Sequence, residues 1–115
     1  MIGVAKNFAA TVASTTYSAF VTPFEAVAIG PPGSLTTNTV TINVSGGAPP
    51  YTYAWLKLIG DDITVADTTA ASVTFSASGA NGDGKLAVFR CTVTDNALDE
   101  VFVDVNVSFS FGTQL

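Results

Sequence analysis

An all-β antiparallel sandwich is the fold class this sequence predicts, on three observations. Apolar and polar residues alternate at period two along most of the chain. Clusters of glycine, proline, asparagine and aspartate punctuate it at intervals of about ten residues, and no stretch carries a helical period.

The first segment, residues 1–30, is rich in threonine and serine but carries Phe8, Tyr17, Phe20, Phe24 and Val27. Pro23 lacks the N–H that a central ladder position requires, so this segment reads as a first strand split by Pro23 between two sheets. It also reads as a docking arm, with residues 1–14 as the tip. Pro31-Pro32-Gly33-Ser34 closes it, and the compact sandwich is expected over 31–115.

Val40, Ile42 and Val44 alternate with Thr41 and Asn43 and predict a strand that Ser45-Gly46-Gly47-Ala48-Pro49-Pro50 interrupts. The next strand runs from Tyr51 to Leu58, with Tyr51, Tyr53, Trp55 and Lys57 on one parity. Gly60-Asp61-Asp62 predicts a turn before a short Ile63-Thr64-Val65 strand. Ser72 to Ala77 follows with Val73 and Phe75 on one side, and Gly79-Ala80-Asn81-Gly82-Asp83-Gly84 is the strongest turn signal in the chain. Leu86 to Thr94 places Ala87, Phe89, Cys91 and Val93 on one face. After the loop Asp95–Asp99, the last strand runs from Glu100 to Phe111 with Val101, Val103, Val105, Val107, Phe109 and Phe111 in line.

That last alternation is longer than one small sandwich needs, since strands average about five or six residues. An apolar strand left at an edge invites association unless something covers it. Either the first segment covers that strand within the chain or a neighbouring subunit does; the favoured reading is that Phe109 and Phe111 meet a neighbouring subunit, with Phe8, Tyr17, Phe20 and Phe24 from the first segment as further candidate interaction residues.

Composition narrows the function. The chain has 115 residues, enough for one domain with one modest core. Apolar residues make up 48% and charged residues 11%, against about 25% charged in ordinary soluble domains. Mean hydropathy is +0.45, yet no apolar run of about 18 residues suits a membrane-spanning helix. The surplus is expected in strands and in surface covered by neighbours. Net charge is −5, and Lys6, Lys57, Lys85 and Arg90 are scattered, so no nucleic-acid or membrane-surface binding is expected. The start lacks a basic region followed by an apolar core, so no signal peptide is predicted.

The chemistry of enzymes is sparsely supplied. With no histidine and one cysteine, neither a histidine-based nucleophilic triad nor a four-ligand zinc site can be assembled. Cys91 sits between Phe89 and Val93 on an apolar parity and reads as core, with no disulfide to form. The acids fall mainly in turns, where aspartate caps backbone amides. Calcium is the one cofactor that the spelling raises. Asn81-Gly82-Asp83-Gly84 lacks the further oxygens and distal glutamate of a calcium loop and reads as a hairpin turn, with Asp95, Asp99 and Glu100 as a second acidic group. No cofactor and no catalytic residue is expected. Tyr51, Asp95 and Asp99, near two loops that this fold places at one end, are candidate ligand contacts, with a host-surface glycan as the ligand class.

Val44, Trp55 and Cys91 lie eleven and thirty-six positions apart. The entry Gly46-Gly47-Ala48-Pro49-Pro50-Tyr51-Thr52-Tyr53-Ala54-Trp55 and the run Phe89-Arg90-Cys91-Thr92-Val93-Thr94-Asp95 flank them. Over residues 35 to 110 this resembles the bacterial and phage immunoglobulin-like, PKD-like domains. The resemblance implies a Greek-key sandwich of about seven strands, with Val44, Trp55, Phe75, Phe89, Cys91 and Val93 as its core. Val44 stands where those domains often carry a first cysteine, and Phe89 where a corner tyrosine is usual. Domains of this kind sit on tailed-phage particles. The resemblance therefore implies a structural virion protein assembled in a bacterial cytoplasm, foremost a capsid decoration protein. Its expected partners are major capsid or tail subunits and further copies of itself; a tail or baseplate component and a glycan-binding module are the alternatives.

Overall fold

A computed structural model describes residues 16–112. Those residues form ten strands and no helix: β1 Ser18–Thr22, β2 Glu25–Gly30, β3 Gly33–Thr36, β4 Val40–Ser45, β5 Thr52–Gly60, β6 Thr64–Val65, β7 Ser72–Val73, β8 Phe75–Gly79, β9 Gly84–Thr94 and β10 Glu100–Phe111. One sheet has the order β2-β10-β9-β5; the others are β1-β4-β7 and β3-β8-β6. All pairings are antiparallel except β2 with β10, which is parallel.

Pro23 divides the first strand as its missing N–H requires. β1 pairs with β4 up to Thr22, and β2 pairs with β10 from Glu25 onward, in a different sheet. From Ser18 the first segment is thus built into the sandwich. The tip of the docking arm, including Phe8, lies outside the described residues.

The core forms between the sheets. Phase is set by burial: Ala87, Phe89, Cys91 and Val93 of β9 point inward, as do Val105, Val107, Phe109 and Phe111 of β10. Phe75, on β8 opposite, meets Trp55 edge-on at 5.8 Å and Phe89 at 4.7 Å between ring centroids. The Trp55 indole N–H donates to the Ala70 carbonyl at 2.8 Å, which satisfies its one polar atom. Trp55 and Cys91 are direct partners in the β5–β9 register.

Three expectations are corrected. Phe109 and Phe111 do not face a neighbour: they are 3% and 2% exposed, stacked at 6.0 Å, and Phe111 covers Gly79 so closely that a Cβ there would lie 2.5 Å from its ring. The length of β10 is used within the chain, because β2 adds a partner along Asn106–Phe111. Val44 is only half-buried, near the end of β4, and Val40 and Ile42 fill the core from that strand. Gly33 and Ser34, read as part of a divider, begin the strand Gly33–Thr36, which pairs with β8.

Candidate interaction surfaces

At one end of the sandwich the loops Gly46–Pro50 and Asp95–Asp99 adjoin, as the fold reading required. Asn96 N–H donates to the Ala48 carbonyl at 2.7 Å, and Ala48 N–H donates to Asp95 Oδ2 at 2.9 Å. Asp95 Oδ1 accepts the N–H groups of Ala97 and Asp99 at 3.0 and 2.9 Å. This carboxylate is buried, and the Ala48 amide first among its donors holds its pKa below the usual carboxylate range. Asp95 is therefore a structural clamp between the two loops and presents no free oxygen pair for a ligand.

Tyr51 is likewise engaged. Its ring is half-buried, stacked on Tyr17 at 6.4 Å and 15°, and its hydroxyl donates to the Gly46 carbonyl at 2.6 Å. The Tyr17 hydroxyl lies 2.9 Å from the Val93 carbonyl and 3.3 Å from that of Asp99, so it ties the start of the chain to the ends of β9 and β10. Burial, and then the Asp95 charge, push its pKa above the ordinary phenol value, which keeps it a donor. Gly47, at φ +73°, allows this approach; a Cβ there would come within 2.8 Å of the Tyr17 ring. Of the loop candidates only Asp99 keeps an exposed side chain. Beside it Leu98 is 81% exposed at φ 68°, which makes the tip of the loop apolar.

The acids do not converge on a cation. Among the described residues no three histidine, cysteine, aspartate or glutamate side chains are grouped to hold a metal. Asp83 Oδ2 accepts the Ala80 N–H at 2.8 Å within its own turn, which is the hairpin geometry the glycines predict. Cys91 has no accessible surface, and burial pushes its thiol up to about 11.

The predicted interaction set is scattered. Phe20 is 55% exposed on β1, opposite Asn43, and Phe24 is 77% exposed between β1 and β2. Sequence reading missed a larger surface, the outer face of the β2-β10-β9-β5 sheet. Leu56, Ile59 and Leu86 are each about two-thirds exposed there, at 66%, 68% and 65%, with half-buried Val88 between them. Ile59, Leu86 and Val88 flank a shallow groove of ≈ 540 Å³ that Glu25, Asn106 and Ser108 close on the other side. A bulge between Lys57 and Ile59 inserts Leu58 and brings Ile59 opposite Val88 on this face. The signal was present in the sequence: Leu56 and Leu86 lie on the parity opposite Trp55 and Phe89, where a solvated face would carry polar residues.

Toward its other end the face carries Arg90, which binds Asp104 on the neighbouring strand through Nε at 2.8 Å and Nη2 at 3.1 Å. The guanidinium also lies 3.9 Å from the centre of the Phe102 ring, itself 57% exposed. Each partner holds the other charged: the Arg90 pKa is raised and that of Asp104 lowered by their hydrogen bond.

No protein-family model matches the chain, and no curated protein matches it. Among solved structures it is similar to domains 4 and 5 of the S-layer protein SbsC, at 16% identity and a TM-score of 0.34. That likeness spans 90% of this chain and 55% of the other, so the chain corresponds to about half the length of that structure.

Proposed function

We propose that the chain is a non-enzymatic structural virion protein of a tailed bacteriophage, foremost a capsid decoration protein, built as an immunoglobulin-like Greek key. The strand order supports the fold reading. β3 and β4 continue one another across Thr37, Asn38 and Thr39, and β7 and β8 across Thr74, so that they act as single strands. Thr37 bridges the gap: its N–H donates to the Phe75 carbonyl at 2.9 Å and its Oγ1 accepts the Phe75 N–H at 3.1 Å. Counting β1 and β2 as one split strand leaves seven, with one layer of the first half of the first, the second, fifth and fourth, and another of the third, sixth, seventh and the second half of the first.

The observation that carries the functional reading is the apolar outer face of the β2-β10-β9-β5 sheet. Exposed Leu56, Ile59 and Leu86 on adjacent strands form a surface that a free-standing domain has reason to avoid and an assembled one has reason to keep. The virion as the place of assembly comes from the sequence resemblance over residues 35–110. The glycan-binding alternative has less support, since Tyr51 and Asp95 spend their polar atoms on the loops themselves.

Particles assembled from the genome that encodes this chain provide the test. Purified particles should contain the chain in many copies, and particles lacking it should take it up again from solution. Leu86→Lys should reduce that uptake, because a cation replaces apolar contact at an exposed position where the fold is indifferent. Absence of the chain from purified particles would sink the virion reading.

A further inference from the structure

We propose that residues 1–15 of this chain dock on the outer face of the β2-β10-β9-β5 sheet of the same molecule and cover its apolar band until assembly. The inference rests on that face being the docking surface, and it names what holds the face in the free chain.

The face offers apolar area together with an excess of negative charge. Leu56 and Ile59 on β5, Leu86 and Val88 on β9 and Ile29 on β2 form the band, with Ile29 68% exposed beside Ser110. Glu25, Glu100 and Asp104 outnumber Arg90 there, so the face is acidic. Residues 1–15 answer both properties. Ile2, Val4, Phe8, Ala10 and Val12 share one parity, the period of an extended segment with a single apolar side. Lys6 interrupts that series, and the fifteen residues contain no acid, so charge draws the segment to the face. The opposite layer offers no rival surface. Among the described residues its strands turn Thr36, Thr41, Asn43, Ser72 and Ser78 outward, and Phe20 is the one large apolar side chain exposed on them.

The point of entry selects the chain's own segment over that of another copy. Tyr17 is pinned at the end of the two central strands of this sheet, its hydroxyl 2.9 Å from the Val93 carbonyl and 3.3 Å from that of Asp99. Its ring stacks on Tyr51, just ahead of β5. Residues 1–15 therefore depart close to the rim of the face. Extended at ~3.3 Å per residue they reach ~50 Å, against ~40 Å for the twelve residues of β10, the longest strand of the sheet. The difference of about 10 Å allows for the turn round the sheet's end. A segment tethered there meets its own face at an effective concentration on the order of millimolar, which no second copy matches in dilute solution. On assembly a neighbouring subunit takes the segment's place on Leu56, Ile59 and Leu86, so residues 1–15 regulate the same surface.

Paramagnetic broadening of methyl signals in the full chain tests the proposal. Gly3→Cys carries a nitroxide on the parity opposite Ile2 and Val4, and Cys91, with no accessible surface, takes up no label. The nitroxide should broaden the methyls of Ile29, Leu86 and Val88 more than those of Val40 and Val73 in the opposite layer. Leu86→Lys should remove most of that broadening and Lys6→Glu should reduce it, both with unchanged circular dichroism. No broadening, or broadening equal in both layers, would overturn the proposal, as would broadening indifferent to Leu86→Lys. Mixing nitroxide-bearing chains with isotopically labelled chains that bear none assigns the source of the segment. Sharp methyls in the mixture are expected; broadened ones would give the face to another copy's segment and overturn the proposal. Failure here and failure of the virion reading are separable. A chain without this contact that still enters particles loses only the cover, whereas a covered chain absent from particles loses only the virion.

Discussion

Phe75 has no accessible surface and packs against Trp55 and Phe89 of the opposing layer. Burial there holds the two layers without a covalent link, since Cys91 is free. Phe75→Ala should cost about 3–5 kcal/mol, read from the urea midpoint, because a ring-sized cavity cannot collapse between two sheets. A change under about 1 kcal/mol would mean that the ring is not a central contact. Cys91 offers a second check on the same core. With its thiol near 11 and no exposed surface, it should resist thiol reagents at neutral pH in the folded chain and react fully once denatured. Asp95 and Asp99 show how surroundings separate two identical groups four positions apart. Asp95 turns inward to three backbone amides, and Asp99 points to solvent. Asp95→Ala should lower the melting temperature by several degrees, while Asp99→Ala should leave it nearly unchanged.

At the level of elements, the decisive feature is how edges are closed. β2 pairs in parallel with the C-terminal half of β10, and its outer edge meets a side chain in place of another strand: Asn38 Oδ1 accepts the Val27 N–H at 2.9 Å. That contact blunts an edge which could otherwise template further pairing. At the far side of the sheet β5 ends at Gly60, where φ is +123° and a Cβ would be driven into Leu86 O and the Ala87 Cα. Asp61 then locks the end: its N–H donates to the Leu86 carbonyl at 2.8 Å, and its Oδ2 accepts the Leu86 N–H at 2.8 Å. Gly60→Ala should destabilise by about 1–3 kcal/mol through steric conflict and a left-handed backbone. A melting curve superimposable on the wild type would show that the β5–β9 end is looser than its geometry.

For the whole molecule, pH is the clearest lever. Asp95, Asp104 and Asp67 all have pKa values held below the ordinary carboxylate range by hydrogen bonds to Ala48, Arg90 and Thr69 respectively. The unfolded chain therefore takes up protons at higher pH than the folded one. The stabilisation is complete above the unfolded value, near pH 4, and is lost as pH falls through the lower folded values. Asp67 and Asp104 are exposed, so solvent screening reduces their share and Asp95 should dominate. Melting temperature should be flat from neutral pH down to about 5 and fall below about 4. In Asp95→Asn that acid limb should be shallower; an unaltered limb would remove Asp95 from this role.

The sequence by itself determined which residues alternate, and so most strands and the inward parity of β5, β8, β9 and β10. Side-chain period is a local property, and Trp55, Phe75, Phe89, Cys91 and Val93 could be placed in the core from it. Asp95 and Tyr51 could be placed at one end but not given their roles, and Tyr17 could not be placed there at all, because the partners lie up to 82 positions away. Only the tertiary structure decided that Phe109 and Phe111 are covered from within. The cover is a parallel pairing between the first segment and the last strand, and no alternation records a partner some eighty residues distant. It decided too that Leu56, Ile59 and Leu86 share one exposed face. Residues on separate strands become neighbours only through register, and a bulge at Leu58 shifts that register by one.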